Sequence, residues 1–148
     1  MKKILITGGA GYIGSKLATK LVNEGHQVTV LDLMKYNKSS LNHLIGNKKF
    51  NLIIGDCCKN HLLKKILKDK DFIIPLAGLV GAPLCDKYPK ETVRVNKKSI
   101  LLLKKLIKKN QKIIFLTTNS GYGIGEKNKY CDENSPLRPV SLYGRTKN

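Results

Sequence analysis

The fold of this chain is decided by the stretch Thr7-Gly8-Gly9-Ala10-Gly11-Tyr12-Ile13-Gly14. It follows a short apolar run and opens a segment whose apolar residues repeat at helical spacing. Gly8 permits a tight turn, Gly11 lets a pyrophosphate approach the backbone, and Gly14 lets the helix lie close to the strand. A strand, a glycine loop and a helix in this order are typical of a dinucleotide-binding unit, because the helix N-terminus attracts phosphates.

Short apolar runs and helical stretches alternate along the rest of the chain. The predicted strands are Lys3–Thr7, Gln27–Asp32, Asn51–Gly55, Phe72–Ala77 and Lys112–Thr118. The predicted helices are Gly14–Glu24, His61–Lys68, Pro89–Lys109 and one that starts near Ser141, with a further short helix within Lys35–Lys48. Apolar strands joined by helices predict a parallel sheet covered on both faces. Right-handed crossovers then predict a doubly wound, Rossmann-type α/β fold with strand order 3-2-1-4-5.

Asp32 ends the second predicted strand, 18 residues after Gly14. This is close to the spacing at which an acidic residue binds the ribose 2′-hydroxyl of a dinucleotide. A carboxylate there would repel a 2′-phosphate, so the sequence favours NAD over NADP. The alternative interpretation is an ordinary aspartate in a turn.

Tyr143 and Lys147 are four residues apart near the end of the chain, so a helix would place them on one face. A lysine ammonium near a phenol favours the phenolate, which can accept a proton. Thr118 ends the fifth predicted strand, 25 residues before Tyr143. Together these residues predict an enzyme that moves a hydride and a proton.

The net charge of +18 raises the hypothesis of nucleic-acid binding. Only three of the 28 basic residues are arginines, the residue type that reads phosphates and bases as a fork. The lysines instead occupy the outer faces of predicted helices and turns. We therefore favour a solvated basic surface that would still attract an anionic substrate, and we expect no nucleic-acid partner.

The cysteines show neither metal-site nor disulfide-framework spacing. They are Cys57, Cys58, Cys85 and Cys131. No C-x-x-C motif occurs and the histidines do not cluster with them, so we expect free thiols, no metal and a reducing cytoplasm. The longest apolar stretches have about five residues, far short of the roughly 20 that cross a bilayer, so no membrane association is expected.

With these residues in view, the chain resembles the extended short-chain dehydrogenase/reductase family, in particular its nucleotide-sugar epimerases. Thr7–Gly14 resembles the family's TGGxGxIG loop, and Gly55-Asp56 its G-D pair, whose acid contacts adenine. Pro75–Leu79 resembles the H-x-A-G segment beside the cofactor, with proline in place of histidine. Pro89–Asn96 resembles the P-x6-N opening of the long helix, and Thr117–Gly123 the S-S-x-x-x-Y-G stretch.

The resemblance implies a role for each matching residue. Tyr143 would take the proton of a sugar hydroxyl, Thr118 would hydrogen-bond the same oxygen, and Lys147 would bind the nicotinamide ribose. The residues implied to bind NAD are Gly8, Gly11, Tyr12, Ile13, Gly14, Asp32, Asp56, Leu76, Ala77, Gly78, Asn96, Tyr143 and Lys147. For Asn96, a structural tether from helix to sheet is an equally good interpretation, because a buried asparagine needs partners.

One departure from the family concerns the reaction. The 4,6-dehydratases have T-D-E where this chain has Thr118-Asn119-Ser120. Asparagine and serine cannot act as general acid or base near neutral pH. The sequence therefore favours an epimerase or simple oxidoreductase over a dehydratase.

The length of 148 residues fits about one domain, whereas the resembling enzymes add two strands and a C-terminal substrate domain. We expect residues 1–148 to be an incomplete NAD(P)-binding domain, inactive alone, that works with a missing C-terminal half or a homodimer partner. The alternative function is a non-catalytic NAD-binding module, such as a redox-sensing regulator. Thr118, Tyr143 and Lys147 speak against it, because a sensor does not need them.

Overall fold

The computed structural model describes residues 1–36, 38–125 and 128–148. Its strands form one sheet: β1 Lys3–Thr7, β2 Gln27–Asp32, β3 Phe50–Ile54, β4 Phe72–Pro75 and β5 Lys112–Ile113. They pair in the order β3-β2-β1-β4-β5, and all four pairings are parallel. The predicted doubly wound sheet and its strand order are confirmed.

Helices connect these strands or follow them. The α-helices are α1 Tyr12–Asn23, α2 Asn60–Ile66, α3 Ala82–Lys87, α4 Pro89–Thr92, α5 Ser99–Leu106 and α6 Leu142–Thr146. Short 3-10 turns occur at Asn42–Leu44, Leu67–Asp69 and Asn119–Gly121, and a π-helical segment spans Val93–Lys98. The helix predicted over Pro89–Lys109 is thus three consecutive segments that end at Leu106.

The chain divides into two compact units. The first unit contains Met1–Ala77 and Ser99–Phe115, and therefore holds the whole sheet with α1, α2 and α5. The second unit contains Gly78–Lys98 and Leu116–Asn148, and holds α3, α4, the π-helical segment and α6. The single domain expected over residues 1–148 stays a prediction.

The core of the first unit follows from the alternation of side chains along the strands. Ile4 and Ile6 of β1 pack in one apolar cluster with Ala18 and Val22 of α1. Leu5, between them, is fully buried on the opposite face of the sheet. Both faces of β1 are therefore covered, which is why its sequence reads as a continuous apolar run rather than an alternating one.

β5 is shorter than predicted, and Pro75 explains why. The Ile114 N–H still donates to the Ile73 carbonyl at 2.9 Å, which continues the ladder one step beyond the strand. The next bond in a parallel ladder would come from the backbone nitrogen of residue 75, and proline has no N–H to donate. The strand predicted to reach Thr118 therefore ends at Ile113.

α3 is a helix that the sequence analysis did not predict. It begins after Gly81, whose φ of +85° is a conformation that favours glycine, and Pro83 occupies its first turn. Proline just inside a helix start was the available signal.

Candidate functional site

The glycine loop joins β1 to α1 at the carboxyl edge of the sheet. Gly8 has φ +72°, and a Cβ there would collide with the backbone of Ala77. A Cβ on Gly14 would lie 2.6 Å from the Gly9 Cα. Neither position can therefore carry a side chain without movement of the backbone, so the backbone at these two positions stays uncovered by side chains of its own.

The start of α1 provides backbone donors for an anion. Gly11 is the N-cap in extended conformation, and its carbonyl accepts from the Ser15 N–H at 2.9 Å. The first N–H groups of any α-helix have no partner within the helix, and they carry the positive end of its dipole. Tyr12 and Ile13, in this first turn, are both exposed. The residues of the loop thus fit a phosphate group.

Asp32 holds the glycine loop in place. Its Oδ2 accepts from the Ala10 N–H at 3.0 Å, and its Oδ1 accepts from the Met34 N–H at 2.8 Å. Met34 has φ +53°, an unusual conformation for a residue with a side chain. The half-buried carboxylate therefore organises both the loop and the exit of β2.

Asp56 and the end of β4 lie at the same carboxyl edge. The Gly55 N–H donates to the Asp32 carbonyl at 2.9 Å, which places Asp56 directly after a residue bonded to β2. The Leu76 N–H donates to the Thr7 carbonyl at 2.8 Å. The first unit thus brings the predicted residues of the loop, β2, β3 and β4 to one edge, where ligands bind in open α/β sheets.

The Asn96 side chain forms hydrogen bonds with two segments of the second unit. This buried side chain accepts from the Leu79 N–H and donates to the Leu79 carbonyl, both at 2.8 Å. Its Nδ2 also lies 3.5 Å from the Thr146 Oγ1 of α6. A Cβ on Gly78 would lie 2.9 Å from the Asn96 Oδ1. Asn96 is therefore a tether between the segment after Gly78 and α6, and its contact with the cofactor stays a prediction.

α6 carries Tyr143, and Lys147 follows its last residue. The Ser141 Oγ caps the helix by accepting from the Gly144 N–H at 3.0 Å. Both Tyr143 and Lys147 are half-buried. Burial lowers the pKa of the Lys147 ammonium below its usual value, because a less polar environment disfavours the charged form.

Thr118 and its neighbours meet α6 within the same unit. The Thr118 Oγ1 accepts from the Ser120 N–H at 3.3 Å and caps a 3-10 turn. The Thr117 Oγ1 donates to the Lys147 carbonyl at 3.1 Å. A Cβ on Gly144 would lie 2.7 Å from the Ser120 carbonyl oxygen. The three predicted catalytic residues therefore lie on two segments that contact each other.

The model of the NAD dependent epimerase/dehydratase family matches residues 4–148. The chain belongs to this family. Membership confirms the resemblance found in the sequence and, for the family, the predicted cofactor class.

Named members of the family show how far the similarity extends. The chain is 32% identical over 152 residues to UDP-glucuronic acid decarboxylase 1 of Xenopus tropicalis, covering 99% of this chain and 35% of that protein. It is 33% identical over 159 residues to UDP-glucose 4-epimerase of Neisseria meningitidis serogroup C, covering 99% and 45%.

A solved structure is also similar to this chain along almost its whole length. UDP-N-acetylglucosamine 4-epimerase of Methanobrevibacter ruminantium M1, in complex with UDP-N-acetylmuramic acid, is 30% identical with a TM-score of 0.83, and the match covers 99% of this chain and 47% of that one. The chain thus spans less than half the length of each of these three relatives.

Sequence reasoning about this family missed the residues that support the predicted site. The Thr117 and Thr146 hydroxyls form hydrogen bonds, and Gly144 packs against the Ser120 carbonyl. All three lie in or between the matched motifs, but the motifs assign them no role. Gly144 offered one signal, since a glycine inside a helix can mark close packing.

Two broader findings bear on function. Within the described ranges, no helix is long and apolar enough to cross a membrane. None of the four cysteines forms a disulfide; Cys57 and Cys85 are buried, Cys58 is half-buried and Cys131 is exposed.

Proposed function

We propose that this chain binds NAD and supplies the acid–base residues of a nucleotide-sugar epimerase. The observation that carries the proposal is the arrangement at the carboxyl edge of the sheet. There the Asp32 carboxylate accepts from the Ala10 N–H of the glycine loop, and the Asp32 carbonyl accepts from the N–H of Gly55, which precedes Asp56. Family membership and the similarity to two 4-epimerases support it.

The first unit supplies the binding residues. The N–H groups at the start of α1 would bind the pyrophosphate, and Asp32 would bind the adenine ribose through its 2′-hydroxyl. Asp56 would contact adenine, and Leu76 and Ala77 would lie along the cofactor. When bound, NAD accepts a hydride from the carbon that bears the reacting hydroxyl.

The second unit supplies the proton chemistry. Tyr143 would take the proton from the sugar hydroxyl, and the Thr118 hydroxyl would hold the same oxygen in place. Lys147 would favour the phenolate of Tyr143, and its half-buried position strengthens its electrostatic effect because solvent screens it less. Gly78 and Asn96 remain predicted cofactor contacts.

The residues after Thr118 favour epimerisation over dehydration. Asn119 is exposed, and the Ser120 Oγ lies 3.3 Å from the Thr118 Oγ1. Neither side chain can deliver or remove a proton near neutral pH. We therefore propose that hydride and proton transfer occur at a sugar hydroxyl without loss of water.

The proposal is tested by measuring cofactor binding and turnover. Calorimetry on the 148-residue chain should show NAD binding, and a chain that binds neither NAD nor NADP would overturn the proposal. We expect no turnover by this chain alone, because its relatives are more than twice as long. For turnover, residues 1–148 are fused to the C-terminal half of the Neisseria meningitidis UDP-glucose 4-epimerase.

The fusion should interconvert UDP-glucose and UDP-galactose, and Tyr143→Phe should lower the rate by at least about 100-fold, the contribution typical of a general base. Tyr130→Phe is the matched control, because Tyr130 is fully exposed, and its rate should equal that of the unmodified fusion. Full activity of the Tyr143→Phe fusion would overturn the assignment of the base. A product that has lost water would overturn the choice of epimerase.

A further inference from the structure

Three side chains that can bind a metal lie together in the turn between β3 and α2. A carboxylate oxygen of Asp56 and the Sγ atoms of Cys57 and Cys58 all lie within 4.8 Å of one another. Successive side chains of an extended backbone point to opposite sides. Here the chain folds back: the Asp56 Oδ1 accepts from the Cys58 N–H at 2.8 Å, and the Asp56 carbonyl accepts from the Lys59 N–H at 3.0 Å.

The chemistry of this set selects the metal. Two thiolates with one carboxylate suit Zn²⁺ and similar soft or borderline cations, whereas Mg²⁺ and Ca²⁺ require oxygen ligands. Tetrahedral Zn²⁺ with ligands at about 2.0–2.3 Å would place neighbouring ligand atoms roughly 3.3–3.8 Å apart. Since the three atoms lie within 4.8 Å of one another, closing them to this spacing requires at most roughly 1.5 Å of side-chain movement.

The position of the cluster fits an ion that enters from solvent. Cys57 is 8% exposed, and Asp56 and Cys58 are half-buried, so the set is partly covered and still reachable. Three protein ligands leave the fourth position of a tetrahedral ion for water. The sequence predicted no metal because C-x-x-C spacing is absent, but the turn brings adjacent cysteines to one side.

We propose that Asp56, Cys57 and Cys58 form a binding site for a thiophilic divalent cation of the Zn²⁺ class. We further infer that the ion competes with the dinucleotide, because the metal and adenine would both approach the Asp56 carboxylate. This second half rests on the proposed function, whereas the metal site does not.

The metal site is tested with Co²⁺, whose thiolate complexes absorb by charge transfer in the near ultraviolet. The parent protein is Cys131→Ser, prepared under argon, which removes the one exposed thiol outside the cluster. We expect one Co²⁺ per chain with a thiolate band that Zn²⁺ abolishes. Cys58→Ser should lower the Co²⁺ affinity by more than about 100-fold, beyond the usual effect of residues that only support a ligand.

Two results would overturn the site: no thiolate band in the parent protein, or the same band and affinity in Cys58→Ser. Cys57 is buried, so Cys57→Ser can fail to fold; in that case the Co²⁺ affinities of Cys58→Ser and Asp56→Asn test the metal site without it. Full Zn²⁺ saturation should weaken NAD binding by at least tenfold in the parent and leave it unchanged in Cys58→Ser.

The two proposals can fail separately. A cobalt band without an effect on NAD affinity would overturn only the competition. A cobalt band in a chain that never binds NAD would overturn the proposed function and leave the metal site standing.

Discussion

Replacement of Asp32 tests how far one carboxylate determines both the structure of the glycine loop and the choice of cofactor. Asp32→Ala removes the acceptor for the Ala10 and Met34 N–H groups, which lie 3.0 and 2.8 Å from the two oxygens. Both donor residues are buried, so water replaces the lost acceptor poorly. Hydrogen bonds to a charged group contribute about 1.5–3 kcal/mol each. Because Asp32 is half exposed, we expect the loss of both hydrogen bonds to lower the free energy of unfolding by about 2–4 kcal/mol.

The effect on the cofactor follows from charge. Two unit charges 4 Å apart repel by about 4 kcal/mol at an effective dielectric of 20, and partial exposure reduces this. A factor of ten in affinity corresponds to about 1.4 kcal/mol. Asp32→Ala should therefore narrow the preference for NAD over NADP by at least about tenfold.

Urea denaturation followed by circular dichroism measures the first effect, and calorimetry with NAD and NADP the second. Asp71→Ala is the matched control: the half-buried Asp71 accepts from the Lys3 N–H at 2.8 Å at the opposite, amino edge of the sheet. It should lose about 1–2 kcal/mol and keep the parent's cofactor preference. The reasoning is refuted if Asp32→Ala unfolds at the parent's urea concentration, or if its ratio of NAD to NADP affinity equals that of Asp71→Ala.

Three further predictions concern other parts of the chain. Gly8→Ala should lower the free energy of unfolding by about 2–4 kcal/mol, because the new Cβ is both strained and in collision with the Ala77 backbone. Gly46 also has a positive φ, +89°, but open space around it, so Gly46→Ala should lower it by only about 1–2 kcal/mol in the same denaturation assay. Equal losses in the two variants would contradict the collision at Gly8. Thr146→Val removes the buried hydroxyl that Asn96 reaches and should cost about 1–2 kcal/mol, while Thr146→Ser should cost less; a valine variant as stable as the parent would show that the tether contributes nothing. Burial lowers the pKa of Lys147 in the native chain, so between that value and the ordinary lysine pKa the unfolded chain binds more protons and stability rises with pH. Relative to Lys147→Met, the parent should therefore gain stability as pH rises through this window, and a constant difference across a pH series would exclude the effect.

The parts of the structure that could be predicted from the sequence depend on residues close together in the chain. The glycine loop and Asp32 lie within one βαβ unit, and the apolar runs directly indicate buried parallel strands. The early end of β5 depends instead on Pro75, a residue on the neighbouring strand almost 40 positions away. No property of the apolar run after Lys112 reveals that its partner lacks an N–H.

The candidate catalytic residues illustrate the same limit. The spacing of Tyr143 and Lys147 predicts that they share a helix, yet α6 spans only Leu142–Thr146 and is far too short to be stable by itself. Its position depends on contacts with distant residues: the Thr117 hydroxyl bonds the carbonyl of Lys147, and Asn96 reaches Thr146. These partners use hydroxyl and amide groups without acid–base function.

A motif therefore identifies which residues carry the chemistry, but their geometry is determined by polar contacts that the motif does not reveal. Asn96 shows this most directly, because its amide is matched to both backbone groups of Leu79 and still extends to α6. Asn96 lies in the π-helical segment, and an apolar pattern with helical spacing cannot distinguish a π-helix from an α-helix. It follows that even a conservative substitution at Thr146 should shift the position of Tyr143, because the Thr146 hydroxyl bonds the Tyr143 carbonyl and is reached by the Asn96 amide.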